Sequence, residues 1–184
     1  MISMINRVLI CYGTRYGSAG EIAERIAEII RERGVQVDVA NLKEKKIKDI
    51  TDYDLVVIGS GIQMGRWTKE PLKFLKKNRE VLSQKEVAVY VSCASAAQPD
   101  QCEQAQNLYL EKTMEEFPEI SPIALGLFGG LLDPSRGGRM TRRILETLVK
   151  TYTADGEPVD RVDLRDWEKI EEWAQGLIRD PFAD

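Results

Sequence analysis

The sequence predicts an α/β fold in which helices cover both faces of a parallel sheet. Short apolar runs of strand length alternate with longer segments whose apolar residues recur at helical spacing. This alternation is typical of right-handed βαβ crossovers. Two of the runs, residues 55–58 and 87–91, are continuously apolar, as strands buried on both faces are. Because 184 residues suffice for one core but are few for two, we expect residues 1–184 to form a single domain.

The first half of the chain contains three strands and two helices. Residues 8–12 form the first strand, and the apolar stripe that begins at Ile22 predicts a helix ended by Gly34. Residues 35–40 alternate as a half-buried edge strand does, whereas residues 55–58 are expected at the centre of the sheet. Thr68 is a suitable cap for the second helix.

The second half continues the same alternation. A covered strand at residues 87–91 leads through a loop at 92–100 to a helix at about 102–117. Further along, we expect a strand at 122–128, a helix at 139–150, a short strand at 161–164 and a final helix capped by Asp166. The Gly- and Pro-rich stretch 129–138 interrupts the fifth unit, so we interpret residues 129–150 as an insertion.

Composition narrows the classes of function. The net charge of −4 disfavours nucleic-acid binding, which depends on a basic surface. The chain has no histidine, so it lacks the commonest general base and metal ligand. We therefore predict no metal site and no catalytic side chain, and we expect a cofactor to supply any chemistry.

The cysteines and the apolar runs indicate a cellular compartment. Cys11, Cys93 and Cys102 show no CxxC spacing, which favours reduced thiols; a redox pair of Cys93 and Cys102 is the less favoured alternative to thiol packing. No run approaches the ~20 apolar residues that a membrane helix needs. We expect a cytoplasmic protein.

A turn between the first strand and the first helix has the composition of a phosphate site. The backbone N–H groups at a helix N-terminus lack intrahelical partners and favour an anion. The turn matches neither a Walker A loop nor the dinucleotide glycine pattern, which leaves a monophosphate as the better ligand. The candidate residues are Thr14, Arg15, Tyr16, Gly17, Ser18 and Ala19.

Two further loops should lie beside this turn. In an open parallel sheet, ligands bind beyond the carboxyl ends of the strands, where residues 60–67 and 92–97 follow the central strands. Met64 and Trp67 offer apolar faces to a planar ring, although each could equally pack against a neighbouring helix. A phosphate site combined with a site for a flat heterocycle predicts FMN.

On these residues the chain resembles the flavodoxin family along nearly its whole length. It resembles most the menaquinone-dependent protoporphyrinogen oxidase branch, through the Val-Val-Ile-Gly-x-x-Ile-x-x-Gly run at 56–65, the helix at 74–77, the insertion near Gly129 and the Asp-Trp-Glu start of the last helix. The resemblance implies a flavodoxin-like three-layer α/β/α sandwich with five parallel strands in the order 2-1-3-4-5. It also implies that the flavin ring is held by Gln63, Met64, Gly65, Trp67, Ser92, Cys93, Ala94 and Ser95.

The insertion is the basic part of an acidic chain. Between residues 121 and 152, five basic residues stand against two acidic ones. The helix at 139–150 places arginines on one face and apolar residues on the other. This pattern is most often a helix packed on a sheet with a solvated basic side; the alternatives are peripheral membrane contact through residues 136–150 or binding of a propionate-bearing tetrapyrrole.

Three functions remain open at this point. The resemblance favours an oxidoreductase that oxidises a porphyrinogen substrate and passes electrons to a quinone. The acidic composition favours a soluble carrier that moves electrons between protein partners. The third is a non-catalytic flavin-binding interaction protein. The sequence does not predict the oligomeric state.

Overall fold

Five parallel strands form the central sheet of the computed structural model, which describes residues 4–153 and 159–178. The strands in chain order are β1 (Arg7–Gly13), β2 (Gln36–Asn41), β3 (Leu55–Gln63), β4 (Arg66–Trp67), β5 (Glu86–Ser92) and β6 (Ala124–Phe128). The sheet order is β2-β1-β3-β5-β6, with β4 paired only to β3. Without β4, this is the predicted order 2-1-3-4-5, with residues 36–41 at an edge and 55–58 at the centre.

Helices cover both faces of this sheet and complete the predicted three-layer sandwich. They are α1 (Ser18–Glu32), α2 (Lys69–Leu82), α3 (Pro99–Gln106), α4 (Lys112–Glu115), α5 (Arg139–Tyr152) and α6 (Trp167–Leu177). One apolar core joins α1 and α6 to the sheet, and a second core on the opposite face joins α2 and α4 to it. A π-helical turn, Asn107–Glu111, connects α3 to α4. Within the described ranges, no helix has the length and apolarity needed to cross a bilayer.

The segment predicted as a loop at 60–67 is a β-hairpin. β3 runs on to Gln63, and β4 folds back on it so that Ile62 pairs with Trp67. The two turn residues, Met64 and Gly65, both have positive φ angles of 50° and 73°, as a two-residue type I′ turn requires. The prediction that the strand ends at 58 was wrong. Residues 59–61 are small and have low strand propensity, so the sequence did not indicate a strand there. In the structure, pairing with β5 extends β3 through these residues.

The two helix caps differ from each other. The Asp166 side chain accepts a hydrogen bond from the backbone N–H of Lys169 at 3.0 Å, which confirms the predicted cap of α6. Thr68 lies at the cap position of α2, but its side chain does not bond the helix. Its hydroxyl is instead 3.1 Å from the hydroxyl of Ser60 on β3, so Thr68 anchors the hairpin to the start of α2.

The insertion forms a small unit beside the main sheet together with residues 162–163, which follow it in the chain. Strands β7 (Leu131–Leu132) and β8 (Val162–Asp163) pair antiparallel. Leu132, Leu145 and Val149 form a buried cluster, through which α5 packs on this two-stranded sheet. The predicted helix is confirmed, but its apolar face does not pack on the central sheet.

A buried tyrosine connects β5 to the start of α1. The Tyr90 hydroxyl donates to the Ala19 carbonyl at 2.7 Å, and the side chain is fully buried. Tyr90 lies opposite Gly59 of β3 in the ladder, and a Cβ at that glycine would overlap the Tyr90 ring. Gly59 is therefore needed for the tyrosine to reach α1.

We predict that Gly59→Ala lowers the free energy of unfolding by at least ~2 kcal/mol, because the added methyl group must displace a close-packed aromatic ring. Chemical denaturation measures the change. Gly176→Ala is the matched control: a Cβ there meets nothing within 4 Å, and the substitution should change stability by less than about 1 kcal/mol. Equal stability of the Gly59→Ala variant and the parent protein would contradict the role assigned to Gly59.

Candidate functional site

A cavity of about 380 Å³ lies at the carboxyl ends of β1, β3 and β5. The three predicted loops meet there, as the parallel register requires. Ten of the fourteen predicted site residues line this cavity, namely Thr14, Arg15, Tyr16, Ser18, Ala19, Gln63, Met64, Ser92, Cys93 and Ala94.

The turn before α1 presents free backbone donors. The first hydrogen bond of the helix runs from the N–H of Glu21 to the carbonyl of Gly17 at 3.0 Å, so the three preceding amides have no helical acceptor. Within the described residues, no side chain caps this helix start. Gly17 has a φ of 92°, and its own N–H donates to Thr14 Oγ1 at 2.9 Å. This shape suits an anionic group such as a phosphate.

Two serines join the turn to β5 and to the insertion. Ser92 Oγ donates to the Gly129 carbonyl at 3.0 Å and lies 3.0 Å from Ser18 Oγ. Ser18 Oγ accepts from the Leu131 N–H at 3.2 Å. Since each hydroxyl has one proton, the Ser18 hydroxyl donates to Ser92. These serines hold the cavity together, because each is already engaged with the protein.

The hairpin contributes one polar and one apolar residue. Gln63 Nε2 donates to the Tyr16 hydroxyl at 3.1 Å, which links the hairpin to the turn. Met64, at the tip of the hairpin, is 90% exposed and lies at the rim of the cavity. The hairpin can therefore cover a planar group through the Met64 side chain.

Four predicted residues do not line the cavity: Gly17, Gly65, Trp67 and Ser95. Trp67 is 7% exposed, packs in the core shared with α2, and donates its indole N–H to the Tyr109 carbonyl at 2.6 Å. Gly17 and Gly65 shape their turns through positive φ angles. Ser95 lies in a 3-10 turn, where its hydroxyl contacts Cys93 Sγ at 3.6 Å.

The cysteines are present as free thiols. Burial raises the pKa of the Cys93 thiol, so the group that lines the cavity stays protonated at neutral pH. A protonated thiol is a poor nucleophile. This property favours the interpretation of Cys93 as a wall residue over a redox role.

Sequence reasoning missed the wall that the insertion contributes. Met140 and Ile144 are 82% and 55% exposed, yet both line the same cavity as the three loops. The other lining residues from this region are Gly130, Leu131, Leu132, Thr141, Leu145 and Leu148. The apolar stripe of the helix was visible in the sequence, but periodicity does not tell which partner a stripe faces.

The cavity has the features of a flavin-nucleotide site. Its volume lies within the roughly 300–1,000 Å³ common for small-molecule sites. One end carries helix N-terminal amides for an anion, and the side walls are largely apolar. The residues present thus fit both ends of an FMN molecule.

Comparisons with known proteins agree with this geometry. A protoporphyrinogen IX dehydrogenase [quinone] of Escherichia coli (strain K12) is 27% identical over 171 residues, which cover 93% of this chain and 94% of the relative. A protein of the same name from Leishmania major is 23% identical over 184 residues, covering 100% of this chain and 79% of the relative.

Solved structures share the fold. Oxidised flavodoxin 1 from Bacillus cereus has a TM-score of 0.50 and 19% identity, over 78% of this chain and 94% of that one. A flavoprotein from Lactobacillus acidophilus NCFM in complex with FMN has a TM-score of 0.50 and 17% identity, over 66% and 93%. The family model for the flavodoxin domain matches residues 9–158, which is most of the chain. The protein therefore belongs to the flavodoxin family.

Proposed function

We propose that the chain binds FMN in this cavity. The phosphate would be held by the turn at residues 14–19, and the ring by Gln63 and Met64 on one side and by residues 92–94 on the other. The free amides at the start of α1 and the cavity volume support this assignment. When bound, FMN supplies two-electron and one-electron chemistry that the side chains do not.

We predict that FMN binds at least about tenfold more tightly than riboflavin, because only FMN carries the phosphate that the helix N-terminus attracts. Quenching of flavin fluorescence during titration of the protein measures both affinities. Thr14→Ala should weaken FMN and spare riboflavin, since Thr14 Oγ1 holds the Gly17 amide. Equal affinities for the two flavins would refute the phosphate assignment.

We further propose that the protein is an oxidoreductase that takes electrons from a porphyrinogen and passes them to a quinone. The observation that carries this proposal is the apolar wall of the insertion, which gives an apolar molecule a place beside the flavin loops. A carrier that works through protein contacts has no need of such a wall. The names of the two relatives point in the same direction.

The charges of α5 suit the propionate groups of a porphyrinogen. Arg139 and Arg143 are exposed and one helical turn apart, beside Met140 on the outer side of the cavity. Arg142 is engaged with Glu146 at 2.9 Å. Met140 and Ile144 would contact the macrocycle and exclude water, while the two arginines pair with carboxylates.

The direct test uses the FMN-loaded protein under anaerobic conditions, with protoporphyrinogen and with or without a menaquinone analogue. We expect porphyrin fluorescence to appear in the presence of the quinone, faster than with free FMN at the same concentration. A rate no higher than the free-FMN control would reject the oxidase proposal. It would favour the electron carrier, for which the exposed hairpin tip at Met64 offers a contact surface.

We predict that Ile144→Ser raises the KM for porphyrinogen about tenfold, because it removes apolar surface worth roughly 1.5–3 kcal/mol when buried against a ligand. Steady-state kinetics measure the change, and flavin titration on the same sample shows that FMN remains bound. Ile123→Ser is the matched control, since Ile123 is exposed to a similar extent but lies before the amino end of β6, away from the carboxyl ends of the strands where the cavity lies. The same rise in KM in both variants would argue against the insertion wall.

Three expectations from the sequence stay predictions. They are the single domain, the cytoplasmic location and peripheral membrane contact through residues 136–150. The exposed arginines and the exposed Met140 on α5 are compatible with such contact.

A further inference from the structure

Arg136 of the insertion lies against the outside of the phosphate turn. Its Nη1 donates to the Tyr16 carbonyl at 3.1 Å and also binds the Glu21 carboxylate. A Cβ placed on Gly17 would be 2.9 Å from this same nitrogen. The guanidinium thus covers Gly17, although 120 residues separate Arg136 from Tyr16 in the chain.

The position of Arg136 is fixed by its own neighbours. Its Nε lies 3.4 Å from a carboxylate oxygen of Asp133, which is buried and also accepts the Ser135 N–H at 3.0 Å. Three groups therefore hold the guanidinium: the Asp133 carboxylate, the Glu21 carboxylate and the Tyr16 carbonyl. Because these three contacts restrict the Arg136 side chain, Arg136 can restrict the conformation of the turn at residues 14–19.

The Tyr16 carbonyl and the Gly17 N–H belong to one peptide group. Arg136 binds the carbonyl on the outside, and the N–H on the other side donates to Thr14 Oγ1 at 2.9 Å. Because a peptide group is planar, holding one end orients the other. Arg136 therefore orients the plane of the Tyr16–Gly17 peptide group. The shape of the turn depends on this orientation.

Arg136 also offsets a charge that opposes phosphate. Glu21 lies in the first turn of α1, close to the proposed phosphate position. Burial would raise the pKa of Glu21, but hydrogen bonds from Arg165 and Arg136 outweigh it and lower the pKa, so the carboxylate is ionised at neutral pH. Arg165 binds the second oxygen of Glu21 and also pairs with Asp163 at 2.7 Å.

We propose that Arg136 is a positioning residue for the phosphate turn. By orienting the Tyr16–Gly17 peptide and neutralising Glu21, it makes the affinity for a phosphate-bearing flavin depend on the docked insertion. This inference rests on the proposed binding of FMN. It assigns to the insertion a second role, distinct from the apolar wall formed by α5.

The test compares FMN and riboflavin affinities of Arg136→Gln by fluorescence titration. We expect FMN affinity to fall at least about tenfold and riboflavin affinity to change less than about twofold, because the lost charge-assisted contacts act on the phosphate end alone. Arg142→Gln is the matched control. It makes the same charge change in the same insertion, but Arg142 contacts Glu146 rather than the turn, and both affinities should stay unchanged.

Further variants separate the two parts of the proposal. Adding Glu21→Gln to Arg136→Gln should recover part of the FMN affinity, since it removes a carboxylate that would then be paired only with Arg165, which Asp163 shares. Arg136→Lys keeps the charge but cannot reproduce the planar fork, so a smaller loss selective for FMN is expected. This variant decides the question if Arg136→Gln fails to fold, as judged by circular dichroism.

Each outcome has a defined meaning. A loss that is selective for FMN supports the positioning role. An equal loss of affinity for FMN and riboflavin, or no loss of either affinity, would overturn the positioning role. The proposal that the protein binds FMN would still stand if the parent protein prefers FMN to riboflavin. A parent protein that binds both flavins equally would instead refute the phosphate site itself, and the inference with it.

Discussion

The position of the candidate site depends on the hydrogen bond from the Tyr90 hydroxyl to the Ala19 carbonyl. This bond crosses from β5 over Gly59 of β3 to the first turn of α1, so it sets where the helix N-terminus stands relative to the sheet edge. Burial raises the pKa of Tyr90 well above its usual value, so the hydroxyl keeps its proton throughout the physiological range. A hydrogen bond of this kind typically contributes about 0.5–1.5 kcal/mol to stability.

The site combines loops at the carboxyl ends of the strands with a wall from the insertion. The carboxyl ends of the parallel strands bring together the turn, the hairpin and the start of the 92–97 segment. The insertion closes the remaining side with apolar residues, and Ser18 and Ser92 bond both parts. The cavity therefore has polar groups at the turn and apolar residues on the side of the insertion.

Most of the fold could be predicted from the sequence, since covered strands and amphipathic helices leave local patterns, as residues 87–91 and the α1 stripe show. The composition of the turn at residues 14–19 was also visible locally. The hairpin was not, because residues 59–61 become strand only through pairing with β5. The buried position of the Trp67 side chain depends on that hairpin. The contacts of Arg136 and Ile144 depend on how the insertion docks, which involves residues more than a hundred positions away.

The insertion has few internal contacts to hold it in place. Its own core consists of three buried side chains, and the bonds of Leu131 and Arg136 to the turn join distant parts of the chain. Such a unit is expected to dock late in folding and to open locally at a lower free energy than the central sheet. Opening of residues 129–150 would release the contacts of Arg136 and Leu131 with the turn at residues 14–19, while the central sheet would keep its own hydrogen bonds. The shape of this turn is thereby coupled to a part of the fold that is expected to open more readily than the sheet.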